Sequence, residues 1–115
     1  MASTQQFDRI VNEGTSPGIG GREGLPSNHI HCADGTELSV IAHWGAYCSP
    51  RPDFKNPAPP EGFAAVEVGY PSVRPEPWDQ WSKFAERSDD PTGSVYGWVP
   101  VDLVREFILS HGGER

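Results

Sequence analysis

Phe7, Ile10 and Val11 fall at helical spacing in an otherwise polar stretch from Thr4 to Val11, which predicts a short amphipathic helix. The run Gly14-Thr15-Ser16-Pro17-Gly18-Ile19-Gly20-Gly21 comes next, and its composition reads as a flexible connection. Residues 1–27 are therefore expected to form a flexible N-terminal extension, and residues 28–115 a single domain. Past Asn28 the apolar pattern shortens to strand length. Asn28 to Ala33 and Thr36 to His43 flank Asp34-Gly35, a dipeptide that tolerates the positive φ of a two-residue hairpin turn. In that register His29 stands opposite Val40 and His31 opposite Leu38.

Phe63 to Gly69 reads as a third strand, with Ala64, Val66 and Val68 on one face and Ala65 and Glu67 on the other. Pro77 is placed to open a helix as its first residue, where the N–H that proline lacks would have no partner anyway. Trp78, Trp81 and Ala85 supply its apolar stripe. Ser94 to Val99 is a fourth strand with aromatics on alternate positions. Pro100 begins a second helix that buries Val101, Val104, Phe107 and Ile108, and His111 with Gly112-Gly113 closes it. The order β-β-β-α-β-α predicts an α+β fold, a mostly antiparallel four-stranded sheet with two helices and a long proline-rich loop. Whether the third and fourth strands join by a parallel crossover or an antiparallel return is left open.

Composition adds the character of that loop. Eight of the twelve prolines lie between Pro50 and Pro77, so the stretch must be a stiff, exposed connection. Rigid loops on a scaffold are where binding residues concentrate. With 36% hydrophobic residues, 13 glycines and 12 prolines in 115 residues, the core is modest, and a homo-oligomer is the expected state. The net charge of −7 argues against a sequence-independent nucleic-acid binder, whose affinity comes from neutralising phosphates. No apolar run approaches the roughly 18–20 residues that span a bilayer. The start MASTQQFDRI lacks the features of a secretory signal, which points to the cytosol, with Cys32 and Cys48 as thiols.

Three constellations could carry chemistry. His29, His31, Cys32, His43 and Cys48 offer five nitrogen or sulfur ligands within twenty residues, enough for zinc. In a strand, however, Cys32 points away from the face shared by His29 and His31. The competing reading is half-buried histidines with hydrogen-bond partners and cysteines that fill the core. The same alternation separates His31 from Cys32 as base and nucleophile, and Ser49 lacks the Gly-x-Ser-x-Gly elbow. No catalytic residue is assigned.

The third constellation is the favoured one. Tyr47-Cys48-Ser49-Pro50-Arg51 and Tyr70-Pro71-Ser72-Val73-Arg74-Pro75-Glu76-Pro77-Trp78 share a plan of serine and arginine in a rigid, aromatic-flanked turn. Arg51 and Arg74 offer planar forks to phosphate, Ser49 and Ser72 offer hydroxyls, and Tyr47, Tyr70 or Trp78 offer stacking faces for a base. The alternative is that the arginines pair with Asp53 and Glu76 on the surface. The expected ligand is small, anionic and phosphorylated or nucleotide-derived.

Asn28-His29-Ile30-His31-Cys32-Ala33-Asp34-Gly35, Tyr47-Cys48-Ser49-Pro50-Arg51, Val66-Glu67-Val68-Gly69-Tyr70-Pro71-Ser72 and Val95-Tyr96-Gly97-Trp98-Val99-Pro100-Val101 resemble blocks of a group of small uncharacterised phage-encoded proteins. The resemblance spans most of residues 28–113 and implies a phage origin, hence the cytosol of a host cell. It implies origin rather than activity; by analogy, a small accessory phage protein without enzyme signatures acts by binding, sequestering a host signalling molecule, blocking a host defence protein, or taking a virion or regulatory role.

Overall fold

A computed structural model describes residues 2–18, 23–53 and 58–115. Its elements are α1 (Gln5–Glu13), β1 (His29–His31), β2 (Glu37–Ile41), β3 (Ala65–Gly69), α2 (Trp78–Trp81) running into a 3-10 turn (Ser82–Phe84), β4 (Val95–Pro100) and α3 (Val101–Ser110). The strands lie side by side in the order β1-β2-β3-β4, each antiparallel to its neighbour. The fold is α+β, and the link from β3 to β4 is the antiparallel return.

Alternation builds the core. Ile30 pairs with Leu38, Val40 with Val68 and Val66 with Val99, so these side chains share one face. That face meets Phe7 and Ile10 of α1 and Leu103, Val104, Phe107 and Ile108 of α3 in one buried cluster. Trp81 wedges into it, 5.5 Å from the Tyr96 ring and 5.6 Å from Phe107. Arg105 joins the helices, reaching Asp8 at 2.9 Å and lying over the Phe7 ring.

The start of the chain departs from expectation. Phe7 and Ile10 are fully buried, so α1 belongs to the domain core and the boundary expected at Asn28 does not detach it. The apolar face that predicted the helix is what docks it. Its N-terminus is capped from far away in sequence, since the Glu114 carboxylate accepts the N–H groups of Gln6 and Phe7, each at 2.8 Å. Beyond α1, the Thr15 N–H donates to the Ala42 carbonyl and the Thr15 hydroxyl accepts the Ala42 N–H. Residues 19–22 of the glycine-rich run lie outside the described residues.

The hairpin register also differs. His29 faces Ser39, Ile30 faces Leu38 and His31 faces Glu37. The connection is one residue longer than expected. The Cys32 carbonyl accepts the Gly35 N–H, the Cys32 N–H returns to Thr36 O, and Gly35 takes φ +93°. That is a turn followed by a left-handed glycine, the three-residue alternative to a type I′ turn. In the second half Pro77 and Pro100 precede their helices in extended conformation rather than forming the first turn. The helix after Pro77 is a single turn, and Ala85 leaves it to bridge to Tyr96.

Both margins of the sheet are partly occupied. Cys32 bridges to Glu114, and Arg115 N–H donates to His31 O at 2.7 Å, along β1. Along β4, Glu86 N–H donates to Val95 O at 2.8 Å beside the Ala85–Tyr96 bridge. The helices cover one face of the sheet, and the opposite face carries His29, His31, Glu37, Ser39 and Glu67, none of them fully buried.

Candidate aromatic binding groove

The feature that shapes the site is a bulge in β4. Val66 faces Val99 and Val68 faces Tyr96, so Glu67 alone stands opposite the pair Gly97-Trp98. The extra residue turns the side chains after it toward new directions. Tyr96 and Trp98, expected on one face, are split: Tyr96 is fully buried and Trp98 is 53% exposed. Trp98 is held at φ +53°, a left-handed conformation that costs a residue with a Cβ roughly 1–2 kcal/mol. Tyr70 at φ +49° is the other non-glycine residue with positive φ among the described residues, and it too is an exposed aromatic.

The segment after β2 crosses the open face to meet this bulge. Tyr47 N–H donates to the Glu67 carboxylate at 2.9 Å, and Trp98 N–H donates to Tyr47 O at 3.0 Å. The two rings stack with centroids 4.9 Å apart and planes 26° from parallel. Gly97 permits that approach, since a Cβ there would sit 3.2 Å from the Tyr47 Cβ. Beside the stack runs an open groove of about 490 Å³, lined by Tyr47, Lys83, Phe84, Glu86, Val95, Gly97 and Trp98. The Lys83 ammonium lies 5.5 Å from the Phe84 ring centroid, and it has no carboxylate partner among the described residues.

The seven ligand-binding residues expected from sequence do not converge. Ser49 pairs with Ala65 at the start of β3, while Tyr70 comes after Gly69 at its end, roughly 13 Å along the strand. Ser72 is further off, its hydroxyl accepting the Glu37 N–H at the start of β2. The two serine–arginine turns therefore stand at opposite ends of the sheet and do not form one clamp. Arg74 is paired with Glu76 at 2.7 Å and lies over Trp78, while Glu76, held by Arg74, titrates below the usual carboxylate range. The expected surface pairing thus holds for Arg74. For Arg51 the described partner is different, the Trp44 carbonyl at 2.7 Å. Of the seven, Tyr47 alone lines the aromatic groove.

The candidate metal ligands are likewise dispersed. His29 and His31 stack on the exposed side of β1, and His31 pairs with Glu37 at 2.8 Å. Cys32 is buried on the core side, its thiol pushed up to about 11 by burial and then by Asp34 and Glu114. His43 accepts the Gly45 N–H on Nδ1, and burial lowers its pKa, favouring neutral imidazole. Cys48 is buried, its thiol 3.4 Å from the His43 carbonyl, and burial raises its pKa. Among the described residues no three His, Cys, Asp or Glu side chains are grouped to hold a metal ion.

Trp98, Gly97, Phe84 and Lys83 escaped the sequence reading. The signal was Gly97 inside a strand pattern, which marks a bulge or a close backbone approach. Comparison with protein families, with curated proteins and with solved structures finds no match to the chain.

Proposed function

We propose that this protein is a binding module that captures a small aromatic, nucleotide-derived ligand against the Trp98–Tyr47 stack. One observation carries the reading: a bulky residue is kept in left-handed backbone so that its indole stands outside the core. Strain of that kind concentrates where a protein presents something. A stacked Trp–Tyr pair presents flat π surface to a base, and about 490 Å³ lies in the size range of small-molecule sites. In this reading the protein acts as a sequestrant of a host signal. The site differs from the one expected in sequence, with Trp98 and Phe84 in place of Tyr70 and Trp78.

The test is native mass spectrometry of the protein purified from its host, then titration with cyclic dinucleotides and ADP-ribose derivatives. A retained mass of a few hundred daltons, lost in Trp98→Ala, is the expected result. Binding that survives Trp98→Ala would remove the groove from the reading. A second reading, a module that inhibits a host protein, draws on the exposure of Tyr70 and Val73 in a turn away from the groove. One stoichiometric host protein retained by the wild type and lost on Tyr70→Ala would select it.

A further inference from the structure

We infer that the groove distinguishes the parts of a nucleotide, with Trp98 and Tyr47 taking the base, Glu86 the ribose hydroxyls and Lys83 the phosphate. This rests on the reading above and adds the class of ligand. Lys83 and Glu86 are three residues apart and line the same groove, yet no ion pair joins them. Each charge therefore keeps its bonding capacity for something else. A carboxylate only accepts hydrogen bonds, and a vicinal diol donates two. An ammonium only donates, and phosphate accepts. Val95 and Gly97 line the same groove beside the Trp98–Tyr47 stack. Acceptor, donor and π surface on one groove complement a ribonucleotide and no part of it in duplicate. The chain's net charge of −7 repels anions in general, so the phosphate contact depends on Lys83 itself.

The test is calorimetric titration of the full chain with AMP, adenosine, 2′,3′-dideoxy-AMP and inorganic phosphate. AMP is expected to bind about tenfold tighter than adenosine and about tenfold tighter than the dideoxy analogue. Those are the factors that one charge-assisted hydrogen-bond set supplies at each end. Lys83→Met, which removes the charge and keeps an unbranched side chain, should erase the first ratio and leave the second. Glu86→Gln should erase the second and leave the first. Phosphate alone should show no saturable binding. Equal affinities for AMP, adenosine and the dideoxy analogue, or ratios unchanged by the two substitutions, would overturn the inference while leaving the stacking site intact if Trp98→Ala still abolishes binding. Absence of binding by both AMP and adenosine would overturn the stacking reading along with it.

Discussion

Glu114 gives the sharpest test of how the chain is held together. Its carboxylate accepts the N–H groups of Gln6 and Phe7, each at 2.8 Å, at an α1 terminus where Thr4 makes no side-chain cap bond. Losing a capping side chain costs about 0.5–2 kcal/mol. Losing negative charge at the positive end of a helix costs about 0.3–1 kcal/mol more. Glu114→Ala should therefore destabilise the protein by about 2 kcal/mol. Unfolding entropy near 2.1 cal/mol/K per residue, over 115 residues, turns that into a Tm lower by about 8 °C. Glu114→Gln retains an oxygen acceptor but no charge and should fall between the two. Urea denaturation with calorimetry measures the series, and amide exchange at Gln6 and Phe7 localises it. A Glu114→Ala protein within about 0.5 kcal/mol of wild type, or Gln as damaging as Ala, would refute the cross-chain cap.

At Trp98 the usual order of glycine and alanine should invert. Trp98→Gly is expected to be more stable than Trp98→Ala by about 1 kcal/mol in urea denaturation, because positive φ strains alanine by roughly 1–2 kcal/mol while glycine loses about 0.4–1 through the unfolded chain; a more stable alanine variant would rule out the left-handed backbone. Asp34 is held down to about 2, first by the Thr36 N–H and then by His111. Its folded pKa lies below the unfolded value of about 3.9, so the stabilisation is present above pH ~4 and lost as pH falls toward 2. Asp34→Asn should flatten the acid limb of the stability curve across that window, and an unchanged limb would show that the contact is weak in solution. Arg74→Ala should leave ligand affinity within about twofold, since Arg74 stands away from the groove in an ion pair with Glu76; a tenfold loss would restore the two-turn clamp.

The framework was legible because each element carried its own period. The alternation of Val66 and Val68 and the helical spacing of Val104, Phe107 and Ile108 put those residues in the core where they are found. The spacing of Phe7 and Ile10 shows a helical face but not its docking, because the cap that fixes it comes from Glu114. The hairpin shifted by one residue because Asp34-Gly35 serves a three-residue turn as readily as a two-residue one. The candidate groove escapes the sequence for a related reason. Strict period-two reading of Tyr96-Gly97-Trp98 puts both aromatics on one face, and only the glycine between them hinted that the period breaks. The serine–arginine turns were visible as composition, but which ends of the sheet they occupy depends on strand pairing, and short-range patterns do not encode that.

The occupied margins of the sheet decide how this molecule can associate. An open edge strand is a template, and unpaired backbone groups along it recruit further strands into swapped dimers or fibrils. Here a strand approaching β1 would first have to displace Gly113–Arg115, and one approaching β4 would have to displace Ala85 and Glu86. Strand addition is thus opposed by the chain itself at His31–Ala33 on one margin and at Val95–Tyr96 on the other. At those positions a second copy or a foreign protein meets side chains rather than free backbone, and the conspicuous side chains are the aromatics held outside the core.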